Sequence, residues 1–258
     1  MELRSKGIKS EVKRMRIISL VPSWTETLIA AGHSPVGRTR YCVHPAHDVA
    51  QIPIVGGTKT VDWNRVRELK PDLLILDQEE NPKSFSEQGL PFWSSRVVDG
   101  QSLAEGFRGL AERLHSKNLE SLAYDMDTIV KAPPGSFEPH RLPGVLEVLR
   151  PWDGCEAISY VIWKDPWMGV NPQTYIGFVL GKLGIQLKTW EPNEQRYPEI
   201  EMKPDEDHVY LFSSEPYPFF KKRKDIQNLG VKGAFVDGEV FSWYGVRSLN
   251  FLKKALQR

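Results

Sequence analysis

The sequence lacks an excess of charge of either sign. Its 258 residues include 34 lysines and arginines and 33 aspartates and glutamates, which gives a formal net charge of +1. Proteins that attract nucleic acid or anionic membranes through their overall field carry a basic surplus. The two short basic clusters, residues 13–16 and 221–224, are not interleaved with aromatic residues. We therefore expect no nucleic-acid partner.

Cysteines and long apolar runs are scarce as well. The two cysteines, Cys42 and Cys155, form no CxxC pair and are an ordinary content for a reduced compartment, while a disulfide between them stays open. Residues 1–16 are polar and basic, and no stretch approaches the ~18 apolar residues that a membrane helix needs. As written, the chain carries no export signal, and we expect a cytoplasmic protein.

The sequence also lacks the motifs of common catalytic classes. It contains no G-x-S-x-G, no Walker loop, no G-x-G-x-x-G and no H-E-x-x-H. We therefore predict a protein that is not an enzyme.

What the sequence does contain is a series of short apolar runs, each followed by a loop rich in aromatic, Cys, His and carboxylate residues. The runs predict buried strands at residues 17–21, 73–76, 96–98, 157–163, 209–212 and 234–236. Short helical stretches separate many of them, which is typical of parallel βαβ units. Ligands of open α/β sheets bind beyond the carboxyl ends of the strands. The pattern therefore predicts a binding cleft lined by both halves of the chain.

Residues 102–131 depart from this alternation of strands and short helices, because their apolar residues recur at helical spacing. The segment has no proline, and its two glycines stand near its start, which predicts one helix of about 25–30 residues. We therefore predict an N-terminal α/β lobe at residues 16–101, a linking helix at 102–131, and a connector with a C-terminal α/β lobe at 132–258. Two local predictions are a capping box from Ser23 to Glu26 and a helical turn at 145–149.

Several motifs together resemble a known family. They are residues 17–23 (I-I-S-L-V-P-S) with Thr25 and Glu26, 36–39, 56–59 (G-G-T-K), 69–73, 163–168 and 237–245. Their order and spacing are similar to those of the substrate-binding proteins of cobalamin and iron–siderophore ABC importers. The resemblance implies two Rossmann-like lobes with mainly parallel sheets, joined by one long backbone helix, with the ligand between them.

The resemblance also implies a ligand and a partner. The ligand would be a bulky metal chelate, namely a cobalamin-like corrinoid, haem or a ferric siderophore, and no cofactor is required. Such proteins are usually periplasmic or lipid-anchored outside the cell, and they dock on an ABC permease through an acidic residue on each lobe. Asn64 stands where the first of these acidic residues is expected. This departure argues against transporter docking, and we expect a monomer that binds a small-molecule ligand.

The candidate ligand contacts lie in the loops that follow the predicted strands. Tryptophans there can offer flat surface to a macrocycle, or they can pack inside a lobe. Carboxylates there can clamp polar groups or be solvated, and Arg247 can pair with a carboxylate or amide group of a corrinoid. The predicted contacts are Ser23, Trp24, Tyr41, Cys42, His44, Glu79, Glu80, Trp163, Trp167, Glu215, Trp243, Tyr244 and Arg247.

Cys42, His44 and His47 form the pattern Cys-x-His-x-x-His. A metal or a haem iron can use these donors, although a site needs further ligands and His33 is the only one nearby. The alternative is a turn fixed by Pro45 with His44 hydrogen-bonded. Two other hypotheses therefore stay open: a cytosolic metal- or tetrapyrrole-handling protein or enzyme that uses Cys42 and His44 without a transporter, and an interaction protein with a vestigial cleft.

Overall fold

The computed structural model describes residues 14–138, 141–152, 157–204 and 207–256. The strands are β1 (Ile17–Ser19), β2 (Gly37–Thr39), β3 (Ile54–Gly56), β4 (Leu73–Asp77), β5 (Phe92–Ser95), β6 (Val145–Arg150), β7 (Ala157–Trp163), β8 (Met168–Gly169), β9 (His208–Ser213) and β10 (Lys232–Val236). The α-helices are α1 (Pro22–Ala30), α2 (Ala46–Val49), α3 (Trp63–Glu68), α4 (Gly100–Leu114), α5 (Lys117–Lys131), α6 (Tyr175–Lys182), α7 (Arg223–Gln227), α8 (Gly238–Ser242) and α9 (Val246–Leu256). Two 3₁₀ turns span Lys83–Phe85 and Phe219–Lys222.

The first sheet is parallel throughout and has the strand order β3-β2-β1-β4-β5. Every residue of β1 and β4 is buried, as expected for central strands of a parallel sheet covered on both faces. The chain adds strands on one side of β1 and then on the other. The crevice beyond the ends of β1 and β4 is therefore the topological switch point, where ligands of such sheets bind.

The second sheet has the order β6-β10-β9-β7-β8. Its three central strands are parallel, and the edge strands β6 and β8 pair antiparallel. The predicted fold class, two α/β lobes with mainly parallel sheets, is confirmed. The lobe boundaries themselves stay a prediction, because α9 follows the second sheet in sequence and yet packs against α1 and α5.

The single helix predicted over residues 102–131 is wrong. Helix α4 ends at Leu114, His115 adopts a left-handed conformation (φ 49°), and Ser116 caps α5 by accepting a hydrogen bond from the backbone N–H of Leu119. Arg108 and Asp127 form an ion pair at 2.8 Å, although a straight helix would hold them about 28 Å apart. The two helices therefore form an antiparallel hairpin, whose buried faces carry the same apolar periodicity as one helix.

Three local predictions also need correction. Helix α1 begins at Pro22, a residue favoured in the first helical turn, and Val21 precedes it without a side-chain cap, so Ser23 forms no capping box. Residues 145–149 form part of edge strand β6, because their apolar residues pair along β10. The last strand of the first sheet is β5, which ends before the predicted segment 96–98.

One apolar core runs through both lobes. It contains Ile75 of the first sheet, Phe107 of α4, Leu211 of the second sheet, and Leu249 and Leu252 of α9. Packing, and not only chain connection, therefore sets how the lobes face each other. No helix in the described ranges is long and apolar enough to cross a membrane.

Candidate functional site

A cavity of about 280 Å³ lies between the two lobes. It is lined from both sides, by Asp77, Glu79, Glu80 and Val97 of the first lobe and by Tyr175, Ile176, Tyr197, Ser242 and Tyr244 of the second. Its first-lobe wall is the loop that follows β4, next to the switch point of the first sheet. We call this space the interlobe cavity.

Asp77 is a firmly positioned carboxylate of the interlobe cavity. Its Oδ1 accepts hydrogen bonds from the backbone N–H groups of Glu79 (2.9 Å) and Glu80 (3.3 Å), and its Oδ2 accepts one from Ser95 Oγ (2.6 Å). Ser95 Oγ in turn accepts a hydrogen bond from Trp24 Nε1 at 2.8 Å. Trp24 is fully buried. The expectation that Trp24 is a ligand platform is therefore wrong in this conformation, since its indole positions Asp77 through Ser95.

Glu80 is the unpaired carboxylate of the interlobe cavity. Within the described residues, no donor or cation lies within bonding distance of its side-chain oxygens. Burial, reinforced by the charges of Asp77 and Glu79 and only partly opposed by Lys59, raises the pKa of Glu80 to about 7. Lys59 Nζ donates its hydrogen bond to the backbone carbonyl of Glu79. The Glu80 carboxyl group therefore gains and loses its proton near neutral pH.

Tyr244 closes the interlobe cavity from the second lobe. Its side chain is buried, and no group in the described ranges meets its hydroxyl with hydrogen-bond geometry, although Ser95 and Asp77 are neighbours. Burial, followed by the charges of Glu80 and Asp77, raises the pKa of Tyr244 well above its ordinary value. The residue is therefore a neutral phenol whose hydroxyl lies beside Ser95 and Asp77.

A chain of charges connects the lobes. Arg247 of α9 donates two hydrogen bonds to Glu26 of α1, both at 2.9 Å, and a third nitrogen contacts Glu239 at 2.8 Å. Glu239 also lies 3.2 Å from Nε2 of His44, which belongs to the first lobe. Arg247, a predicted ligand contact, pairs with Glu26 and Glu239 in this structure and is not part of the cavity lining. Glu26 was missed as a functional residue because its sequence context suggested a helix cap.

A second interlobe ion pair joins Glu79 of the first lobe to Arg196 of the second. On the second lobe, Trp243 Nε1 donates a hydrogen bond to Glu215 at 3.1 Å, and the Trp243 ring meets His44 edge-on at 5.6 Å between centroids. Burial, with the charge of Glu239, raises the pKa of Glu215. Glu79 also lines the cavity, whereas Arg196, Glu215, Trp243 and His44 belong to the contact between the lobes and not to the cavity lining.

The structure does not gather Cys42, His44 and His47 into a metal centre. Cys42 is buried in the first lobe, where its Sγ lies 3.0 Å from Thr25 Oγ1 and 3.1 Å from Thr39 Oγ1, and burial raises its pKa. His47 is exposed. Across the described ranges, no group of three or more His, Cys, Asp and Glu residues is arranged to hold a metal ion. Cys155 lies outside these ranges, so its pairing with Cys42 stays untested.

The remaining predicted contacts lie away from the cavity. Ser23 is buried within α1, and Tyr41 and Trp163 are exposed. Trp163 packs edge-on against Tyr217, and Trp167 stacks on Phe219 in the second lobe.

Of the predicted contacts, the structure places Glu79, Glu80 and Tyr244 in the interlobe cavity. Sequence analysis missed Asp77, Tyr175 and Tyr197. Asp77 had a usable signal, since it is the polar residue that directly ends an apolar run.

The first half of the chain matches a known family. The family described as periplasmic binding protein matches residues 17–123. The chain resembles the periplasmic binding proteins. No curated protein gives a significant match.

Solved structures extend the resemblance to the whole chain. The periplasmic vitamin B12 binding protein BtuF of Vibrio cholerae has 17% identity and a TM-score of 0.63, with 94% of this chain and 95% of that chain covered. The heme-binding protein RhuT of Roseiflexus sp. RS-1 has 15% identity and a TM-score of 0.64 (93% and 95%). The siderophore-binding protein FhuD of Vibrio cholerae, solved with Fe3+-Desferal, has 16% identity and a TM-score of 0.62 (94% and 96%).

At these identities the structural matches establish the shared two-lobed fold. They confirm the resemblance inferred from the motifs. Both the family and these structures are binding proteins rather than enzymes.

Proposed function

We propose that the protein binds a small-molecule ligand in the interlobe cavity, as the substrate-binding proteins of ABC importers do. The observation that supports this most directly is the lining itself: carboxylates from one lobe face tyrosines from the other across the cavity. Ion pairs from Glu79 to Arg196 and from Glu26 to Arg247 hold the lobes around that space. A ligand enters when these pairs part and is enclosed when they form again.

The relatives suggest the first ligands to test, because they bind vitamin B12, heme or an iron siderophore. A cavity of about 280 Å³ is smaller than the ~300–1,000 Å³ of sites for drug-sized ligands. A bulky chelate exceeds this volume, and we expect its binding to separate the lobes and break the ion pairs between them. Chelate binding thus carries a structural signature, an increase in the radius of gyration.

The test is a titration of the purified protein with cyanocobalamin, haemin and ferric desferrioxamine. We expect one of them to raise the melting temperature and to change its own absorbance on binding, with the radius of gyration measured by small-angle scattering. If none of them raises the melting temperature, the chelate assignment is wrong.

A matched pair of variants locates the site. Ser242 lines the cavity, so Ser242→Trp should fill it and abolish ligand-induced stabilisation. Ser84 lies in an exposed 3₁₀ turn, and Ser84→Trp should bind as the wild type does. Equal binding by both variants would place the ligand elsewhere.

We further propose that binding here is neither catalytic nor coupled to a permease in the usual way. Asn64 is exposed on α3, and its neutral side chain offers no charge to a transporter arginine. The metal- or tetrapyrrole-handling hypothesis loses its support, because Cys42 is enclosed in the first lobe away from the cavity. The cytoplasmic location expected from the sequence remains a prediction, since the matching family is periplasmic.

A further inference from the structure

A run of four cations stands on the surface of the second lobe. Lys221, Lys222, Arg223 and Lys224 are all exposed, and Asp225 is the one carboxylate in the same stretch. Among the residues that the structure describes, none of the four cations forms an ion pair. The whole chain has a net charge of only +1, so this surplus is local. It leaves positive charge on the surface without a counter-charge from the protein.

Apolar packing decides that these cations face solvent together. Phe219 and Ile226, on either side of the run, are buried in a cluster with Phe212 of β9 and Phe235 of β10. This cluster uses the alternate residues of the strands, so it covers the face of the second sheet opposite to the core that both lobes share. The segment is therefore held at both ends, and the cations between these anchors remain outside.

The cations line a groove. It has a volume of about 540 Å³ and is lined by Phe220, the four cations and Asp225. We call it the basic groove. Of the described residues, none lines both the basic groove and the interlobe cavity. At ~30 Å³ per water molecule, the volume corresponds to about 18 waters, which is room for a compact anion with several charged groups.

Aromatic rings position two of the cations. The ammonium group of Lys222 lies 5.8 Å from the centroid of the Tyr217 ring, and the guanidinium group of Arg223 lies 5.6 Å from that of the Phe220 ring. Phe220 in turn packs edge-on against Phe235 at 5.6 Å between centroids. A ring face attracts a cation without adding an opposite charge. These contacts therefore orient both side chains and leave their charge available to a ligand.

Phosphate groups match the basic groove better than other anions do. A phosphate group offers three acceptor oxygens and carries up to about two negative charges, so it places more charge in a small volume than a carboxylate does. An arginine fork donates two parallel hydrogen bonds to such a group, and lysines add point charges. A protein partner fits less well, because a stable interface buries about 800 Å² on each side and the groove is lined by one six-residue segment.

We propose that the basic groove binds an anion with two or more phosphate groups, which Lys222 and Arg223 contact directly while Lys221 and Lys224 add attraction. The site is separate from the interlobe cavity and goes beyond the proposed function. The phosphate groups belong either to a soluble molecule or to neighbouring anionic lipid headgroups, which offer the same oxygens.

The experiment is isothermal titration of the full chain with sodium tripolyphosphate at about 50 mM and about 200 mM sodium chloride. Orthophosphate serves as the single phosphate group, and citrate serves as a compact anion with three carboxylates. We expect tripolyphosphate to bind about tenfold or more tightly than either probe and to weaken at the higher salt concentration. Absence of tripolyphosphate binding at millimolar concentration, or equally tight binding of citrate, would overturn the inference.

Sedimentation with lipid vesicles identifies the source of the phosphate groups. One set of vesicles contains phosphatidylcholine alone, and the other also contains phosphatidylglycerol. If the protein sediments with the anionic vesicles only and tripolyphosphate releases it, the groove takes lipid headgroups. If tripolyphosphate binds and neither set of vesicles carries the protein down, the groove takes a soluble anion.

Two double variants locate the site. Lys222→Gln with Arg223→Gln should lower the affinity for tripolyphosphate by about tenfold or more. Lys117→Gln with Lys131→Gln removes the same charge from exposed positions on α5, outside the groove lining, and should bind as the wild type does. All four positions are exposed, and melting temperatures confirm that both variants fold. Equal losses of affinity would show a response to net charge alone and would overturn the assignment.

The Ser242→Trp variant separates the basic groove from the interlobe cavity. It fills the cavity and leaves the groove lining intact, so it should bind tripolyphosphate as the wild type does. Loss of tripolyphosphate binding in this variant would place the anion between the lobes and would refute the inference. A failed chelate titration leaves the inference unaffected, because the two sites share no lining residue in the described structure.

Discussion

Glu80 shows at the level of one residue how the cleft differs from the rest of the surface. Burial and the neighbouring carboxylates Asp77 and Glu79 raise its pKa from 4.5 to about 7. The folded protein therefore holds a proton that the unfolded chain releases between pH 4.5 and 7. By linkage, the free energy of unfolding falls as pH rises through this window. A carboxylate with no partner thus lowers stability above pH 7, a cost typical of binding sites.

We predict that Glu80→Gln stabilises the protein at alkaline pH. At pH 8 the free energy of unfolding should rise by about 1–3 kcal/mol, because the amide avoids the cost of a buried charge. At pH 4.5 the two proteins should differ little, since Glu80 is then protonated when folded. Urea denaturation at both pH values measures this.

The control for this measurement is Glu87→Gln, whose exposed side chain should leave stability within about 0.5 kcal/mol at both pH values. A wild type that is equally stable or more stable than Glu80→Gln at pH 8 would contradict the raised pKa.

Sequence patterns alone were enough to identify Glu79, Glu80 and Tyr244 as ligand candidates, because these residues follow apolar runs at expected strand ends. The same reasoning misassigned Trp24, and it did not reveal the ion pairs of Arg247. A tryptophan at a strand end looks the same in sequence whether it packs inside or faces a cleft, and the structure alone shows that Ser95 receives its N–H. The partner of Arg247 is Glu26, 221 positions away, and no local pattern reveals such a pair.

Among the elements, the turn into α9 decides how the C-terminal helix meets the first lobe. Gly245 has a φ of 95°, a conformation that side chains with a Cβ rarely adopt. A Cβ there would lie 2.4 Å from Thr27 Oγ1 of α1. That oxygen is fixed, because Thr27 donates a hydrogen bond to the Ser23 carbonyl and accepts one from the backbone N–H of Val246. The glycine therefore allows α9 to approach α1.

We predict that Gly245→Ala destabilises the protein by about 1–3 kcal/mol, because it combines an unfavourable φ with a clash at Thr27. Thermal and urea unfolding measure the effect. Gly181→Ala in α6 is the matched control: in the described structure no neighbouring atom lies within 4 Å of its added Cβ, and helix propensity should add about 0.5–1 kcal/mol. Equal losses in both variants would show that the contact between α1 and α9 does not depend on Gly245.

The elements themselves were partly predictable. Central strands such as β4 and β9 are long apolar runs, so periodicity located them. The hairpin of α4 and α5 was not found, because the break lies at His115, an ordinary residue in a left-handed conformation. A glycine in the left-handed position after a helix allows the helix end to be predicted from sequence. A histidine in that position, such as His115, gives no such signal.

At the scale of the whole molecule, the two lobes share one apolar core, and ion pairs join them in addition. Arg247 is 21% exposed and Glu26 is 15% exposed, so this pair is much less solvated than a surface ion pair. The apolar core and the ion pairs together hold the two lobes in contact around the cavity. Removing the arginine would leave Glu26 and Glu239 without their shared cation.

We predict that Arg247→Ala lowers the free energy of unfolding by about 2–4 kcal/mol and increases the radius of gyration measured by small-angle scattering. Lys253 lies on the same helix and pairs with Asp125 at a more exposed position, so Lys253→Ala should cost at most about 1 kcal/mol and leave the radius unchanged. Similar effects of the two variants would mean that the Arg247 network does not hold the lobes together.

The sequence by itself determined the two α/β lobes, the buried strands and the position of a cleft after their carboxyl ends. Those features follow from the local pattern of apolar and polar residues, which each segment carries with it. Only the tertiary structure decided which carboxylates are paired, which carboxyl group has its pKa raised to about 7, and which residues of the two lobes line the cavity. Ion pairing and pKa depend on distances of a few ångströms between residues far apart in the chain, and folding alone sets those distances.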